Sequence, residues 1–180
     1  MIVWVNGAFG SGKTTLVAEL HRRWPEVLVY DPEQIGFVLR DIVEVPKGNF
    51  QHLPLWRRQV ASMAIGLVEE YGRPVLAPMT VVHPHYAEEI FGALEAAGVT
   101  VHHFFLEVPA DVLEQRLDAR VVAPDDPVRD EAARRWGKAQ IAQCVAAVDT
   151  LRAGTVLLDG ERPTRELADE VLTHVGTESR

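Results

Sequence analysis

The sequence predicts an α/β fold: a mostly parallel five-stranded sheet with helices on both faces, in three layers. Three observations predict it. Short apolar, β-branched runs alternate with longer stretches of helical period, the pattern of βαβ units. Two of those runs are nearly unbroken apolar segments, as strands covered on both faces should be. The first run leads through a glycine-rich turn into a helical stretch.

The elements follow in order. Strands are expected at Ile2–Val5, Val27–Tyr30, Val75–Pro78, Val101–Val108 and Thr155–Leu158. A first helix carries Leu16, Val17, Leu20 and Trp24 on one face. Later helices repeat Ala64, Leu67, Val68 and Tyr71, then Ile90, Phe91 and Leu94, then Ile141, Val145 and Val148. Cys144 reads as a small core residue beside the last of these. Between helical stretches lies Val121–Asp130, with two prolines and three aspartates, read as an exposed loop: a plain surface connection or a small mobile lid. At 180 residues the chain suits a single domain over 1–180.

Composition narrows the function. Hydrophobic residues make up 47% and charged residues 24%, ordinary for a globular protein. A net charge of −8 argues against a general nucleic-acid partner. One cysteine excludes an internal disulfide and allows a cytoplasmic setting. The apolar start, Met1–Val5, is too short for a signal peptide, and no integral membrane segment is expected.

In parallel sheets, ligands sit beyond the carboxyl ends of the strands. After the first strand, Gly7-Ala8-Phe9-Gly10-Ser11-Gly12-Lys13-Thr14 fits G-x-x-x-x-G-K-[ST] at every fixed position, between a strand and a helix. Glycines let the backbone approach a phosphate and turn successive N–H groups inward. The following helix, with Thr14 and Thr15 in its first turn, presents its positive end there. Lys13 supplies a charge for the β- and γ-phosphates, and the Thr14 hydroxyl suits Mg²⁺. No N-K-x-D run specifies guanine, so ATP is the expected nucleotide. The third strand ends in Pro78-Met79-Thr80 without an acid, so a carboxylate from elsewhere must complete the metal site. Asp31, directly after the second strand, is the candidate, either to orient Mg²⁺-bound water or to accept a proton; its alternative is a helix cap. Glu33 reads as a first-turn helix acid.

These residues resemble the tunicamycin-resistance protein family of the TmrB type. The likeness rests on Val5–Thr14, on Tyr30-Asp31-Pro32-Glu33 with Gly36-Phe37 and Leu39-Arg40, on Pro54-Leu55-Trp56-Arg57, on Pro78-Met79-Thr80 with Val82-His83-Pro84 and Tyr86, and on His102-His103-Phe104. It covers roughly residues 1 to 145. The wider architecture resembles nucleoside monophosphate kinases and shikimate kinase, which implies a P-loop kinase-like fold with a small lid near residues 121–130. By that resemblance Arg116 stacks on adenine, Arg120 meets the phosphates and Arg40 grips an anionic group of the acceptor. In place of the Asp-Gly and arginine of monophosphate kinases, the segment after the third strand offers Pro78, Met79, Thr80, His83 and His85. The acceptor is therefore expected to be less charged than a nucleotide: a hydroxylated small molecule or an antibiotic such as tunicamycin. Lys13, Asp31 and Arg120 are the expected catalytic residues. Asp31, Arg40, Trp56, Arg57, Thr80 and His83 are expected around the acceptor, although Trp56 is also a natural core residue. His102 and His103 read as structural, and Arg129, Arg134 and Arg135 as mostly solvated. Two readings remain open: ATP-dependent phosphoryl transfer to a small molecule, and ATP-dependent sequestration of a toxic ligand without chemistry.

Overall fold

A computed structural model describes residues 1–178. Its five strands are β1 (Ile2–Gly7), β2 (Leu28–Val29), β3 (Val75–Pro78), β4 (Val101–Glu107) and β5 (Val156–Asp159). They form one sheet in the order β2-β3-β1-β4-β5, and every pairing is parallel. Seven α-helices surround it: α1 (Lys13–Arg23), α2 (Glu33–Arg40), α3 (Pro54–Tyr71), α4 (Pro84–Ala96), α5 (Ala110–Ala119), α6 (Pro127–Ala146) and α7 (Thr164–Glu178).

The central strand sorts the layers. All six residues of β1 are buried, and its side chains alternate between the two faces. Ile2 and Trp4 join Trp56, Val60, Ile90, Phe91 and Leu94 beneath α3 and α4. Val3 and Val5 join Leu16, Leu20, Leu167 and Val171 beneath α1 and α7. A smaller cluster of Ala8, Val108, Leu113, Leu117, Ile141 and Cys144 seats α5 and α6 beside the end of β1. Because β1 is central, the loop that follows it opens in the middle of the sheet's carboxyl edge.

The strand expectations hold, with shifted ends. The ladder at β2 is short, yet the Tyr30 N–H still donates to the Leu76 carbonyl at 2.9 Å, so Asp31 emerges directly beside β3. Three expectations need correction. The face of α3 on the core runs from Trp56, Val60, Ala61 and Ala64 to half-buried Leu67 and Val68, while Tyr71 in the last turn is exposed. On α6, Ile141 pairs with Cys144 in the core and Val145 faces outward. The segment expected as a loop to residue 130 is loop only as far as Asp126: Asp126 caps α6 by accepting from the Arg129 N–H at 2.9 Å, and Pro127 occupies its first turn.

Candidate active site

The phosphate loop is built by backbone geometry that its glycines permit. Gly7, Gly10 and Gly12 sit at φ of 137°, 83° and 101°. At Gly7 a Cβ would lie 2.8 Å from Ser11 Oγ and 2.9 Å from the Leu106 carbonyl, so no side chain fits. Lys13 Nζ folds over the loop, donating to the carbonyls of Gly7 at 3.0 Å and Ala8 at 2.7 Å, and rests 5.4 Å from the Phe9 ring centre. Burial holds its ammonium well below the ordinary lysine range, at about 8; Glu33 and Asp31 oppose that shift and Arg120 adds to it. Ser11 Oγ is buried with no hydrogen-bond partner among the described residues.

A cavity of about 610 Å³ opens over this loop. Gly10, Gly12, Lys13, Thr14 and Thr15 form one wall; Asp31 and Glu33 come from the start of α2, and Arg116 and Arg120 from the end of α5. The size suits a cofactor pocket. The fit to a triphosphate is chemical as well: a glycine-lined nest, one lysine and two arginines face the same space. Thr14 and Asp31 offer side-chain oxygens of the kind Mg²⁺ prefers. Among the described residues, no group of three or more His, Cys, Asp and Glu side chains gathers as a metal cage.

The two carboxylates differ. Asp31 Oδ1 accepts from the Glu33 N–H at 2.9 Å, so the side chain caps the first turn of α2 while lining the cavity. Burial, then the neighbouring Asp31 charge, raises the proton affinity of Glu33, while Lys13, Arg120 and Arg40 pull it back. Glu33 is the cavity residue that sequence reasoning passed over, because an acid in a first helical turn already has an ordinary explanation. His21 also lines the cavity. It lies on the α1 face of Lys13 and Val17, a spacing visible in the sequence.

The arginines anchor as well as line. Arg116 donates to the Gly160 carbonyl at 3.0 Å and to the Ser11 carbonyl at 3.4 Å, joining α5 to the phosphate loop and to the turn after β5. Phe9 meets Trp136 in a T-shaped contact with ring centres 4.8 Å apart, which ties the loop to α6 as well.

The other expected acceptor residues lie outside this cavity. Arg40 donates to the Gly48 carbonyl and lies over the Phe50 ring at 5.1 Å. Trp56 is fully buried and donates through Nε1 to the Pro32 carbonyl, so it packs beneath α2 as core. Arg57 is buried, paired with Glu89 at 2.6 Å and set 4.2 Å over the Tyr86 ring, so it braces α3 against α4. Thr80 is buried, and its Oγ1 donates to the Gly7 carbonyl at 2.7 Å: it braces the phosphate loop. His83 is exposed and stacks on Tyr86 at 4.2 Å. Arg134, expected in solvent, pairs with Asp130 at 2.6 Å.

A family model described as AAA domain matches residues 2–144, from β1 to the last turn of α6. The chain is a member of the AAA domain family. No curated protein matches it. Among solved structures this AAA domain protein is similar to the tunicamycin resistance protein of Deinococcus radiodurans, at 26% identity over 97% of this chain and 95% of that one, with a TM-score of 0.73. It also shares its fold with the Mycobacterium tuberculosis APS kinase CysC, solved with AMPPNP and APS, at 19% identity over 97% and 96% of the two chains and a TM-score of 0.66. Shikimate kinase from Aquifex aeolicus matches at 18% identity over 99% and 98%, with a TM-score of 0.54. These neighbours establish the α/β P-loop kinase-like fold. No helix among the described residues is long and apolar enough to cross a membrane.

Proposed function

We propose that this protein is a single-domain, cytoplasmic small-molecule kinase that uses ATP·Mg²⁺ to phosphorylate a hydroxyl group. The observation that carries this reading is the convergence of Lys13, Thr14, Arg116, Arg120, Asp31 and Glu33 on one cavity. The likeness to a tunicamycin resistance protein supports a hydroxylated antibiotic of the tunicamycin type as acceptor, and membership of the tunicamycin-resistance family itself. When bound, ATP·Mg²⁺ supplies the phosphoryl group and neutralises charge on its oxygens. Lys13 and the loop N–H groups hold the β- and γ-phosphates, Arg120 holds charge that develops on transfer, and Arg116 flanks the base. Asp31, fixed by the Glu33 N–H, orients metal-bound water. Glu33, whose proton affinity is raised by burial, takes the proton of the acceptor hydroxyl.

A second reading, nucleotide-dependent binding without transfer, draws support from the capping bond at Asp31, which gives that side chain a structural task whether or not chemistry follows. The two carboxylates separate the readings. Asp31→Asn keeps the cap and ATP affinity and weakens metal-dependent turnover. Glu33→Gln keeps ATP affinity and lowers kcat by about 10²-fold or more, the usual weight of a general base. In the parent, the acid limb of the kcat–pH profile falls above the ordinary glutamate range, since Glu33 must be deprotonated to act. A coupled ADP-release assay reads both. Unchanged turnover in Glu33→Gln contradicts the assignment.

A further inference from the structure

Asn6 is a buried amide with all four hydrogen-bonding positions used. Its Oδ1 accepts from the Gly7 N–H at 2.8 Å and from the Val81 N–H at 3.0 Å. Its Nδ2 donates to the Val81 carbonyl at 2.7 Å and meets His103 Nε2 at 3.1 Å. Two backbone N–H groups on one end fix which end of the amide is oxygen. His103 Nε2 must then be the unprotonated, accepting nitrogen, and the ring proton sits on Nδ1. That proton is donated to Thr155 Oγ1 at 2.8 Å, and the Thr155 hydroxyl in turn donates to the Arg152 carbonyl at 2.8 Å. The chain of donors closes without a conflict. Burial, and behind it the Arg152 charge, holds the imidazole at about 3, so it stays neutral and keeps this tautomer at any ordinary pH.

We propose that His103, buried in β4, is a positioning residue for the phosphate loop and acts through Asn6. The residue it controls is Gly7. Its N–H is held by Asn6, and its carbonyl receives both Lys13 Nζ and Thr80 Oγ1. Asn6 also grips both polar groups of Val81, so the phosphate loop and the segment after β3 are joined through one side chain. A hydrophobic residue at 103 would leave an Asn6 N–H without its acceptor, and a buried unpaired donor drives the amide to turn away. Gly7 and Val81 would then lose a shared acceptor.

This inference rests on the nucleotide reading above, and its test separates the two. Full-length His103→Leu, His103→Gln and Thr155→Val are compared with Val171→Ala, a core truncation under α7 outside the network. Affinity for AMPPNP·Mg²⁺ is measured at a temperature where each protein is folded, and amide exchange is followed at Gly7 and Val81. His103→Leu is expected to bind about tenfold more weakly, the scale of one lost buried hydrogen bond with its desolvation, and to exchange faster at both amides. His103→Gln should recover most of the affinity, because its Oε1 can accept from Asn6. Val171→Ala should lose stability and keep parental affinity. Parental affinity in His103→Leu, or an equal loss in Val171→Ala, overturns the proposal. Should His103→Leu fail to fold, Thr155→Val decides: a loss of about threefold supports the relay, and parental affinity overturns it. Should the parent itself not bind AMPPNP, the kinase reading fails, and exchange at Gly7 and Val81 alone decides this one: unchanged rates overturn it, faster rates uphold it.

Discussion

Lys13 sits at the phosphate loop with its charge disfavoured by burial. Its ammonium is held at about 8 by burial against the loop, and a bound triphosphate restores its preference for the proton. Two outcomes follow for one calorimetric series. Lys13→Ala weakens ATP binding at least tenfold, ~1.4 kcal/mol. In the parent, binding between about pH 8 and pH 9 takes up a proton, so the observed heat varies with the buffer's ionisation enthalpy; in Lys13→Ala that variation disappears. For stability the sign runs the other way: a lysine depressed in the folded state destabilises its own charged form, so the fold gains stability as pH rises from about 8 toward the ordinary lysine range. Trp56 shows the opposite kind of residue. A tryptophan just after a proline at a helix start reads equally well as ligand wall or core, and only packing separates the two. With no exposed surface and its Nε1–H on the Pro32 carbonyl, it is core. Trp56→Phe is expected to cost about 1–3 kcal/mol in denaturant unfolding, from the orphaned carbonyl and the lost volume, with ATP affinity retained. Intact stability with lost acceptor binding would return it to the site.

At the scale of elements, the loop between α5 and α6 starts at the rim of the cavity. Arg120 begins it and lines the cavity, while Val121, Val122 and Val128 are exposed around it. Its far end is anchored: Asp130 accepts from the Val122 and Ala123 N–H groups and pairs with Arg134. Those bonds hold the Asp130 carboxyl below the ordinary aspartate range, so the anchor is lost only as pH falls through that depressed value. Few apolar contacts mean a low opening free energy. Amide exchange of residues 120–126 should therefore slow when an ATP analogue binds Arg120, most of all at positions outside the Asp130 anchor. Equal exchange with and without nucleotide would make the loop a plain connection. How much of this was legible depended on range. Asp126-Pro127 is a helix-start signal written in the sequence, and it was masked by reading the prolines as loop formers. The buried face of α3 was legible only in part: Ala64, Leu67 and Val68 do meet the core, but apolar residues lie on several faces of Pro54–Tyr71, and packing leaves Tyr71 outside.

The whole molecule repeats that division. Five strands, their parallel arrangement and the phosphate loop follow from local patterns: β-branched runs, helical periods and one motif of fixed spacing. The second wall of the cavity was legible only in part: Asp31 from its place after the second strand and Arg116 and Arg120 from the family resemblance, while Glu33 joins them at Lys13 through the strand order β2-β3-β1-β4-β5. Thr80 illustrates the cost of reading without it: its hydroxyl points back to Gly7 rather than out to an acceptor. The joint arrangement of loop, carboxylates and arginines is what makes transfer to a hydroxyl the central claim. Mass spectrometry of tunicamycin and a panel of hydroxylated metabolites, after incubation with the protein and ATP·Mg²⁺, tests it most directly. The account predicts that at least one compound gains a single phosphoryl group, and that the gain is lost with Lys13→Ala and Glu33→Gln. A panel left unmodified by protein that demonstrably binds ATP would contradict it and leave nucleotide-dependent sequestration as the function.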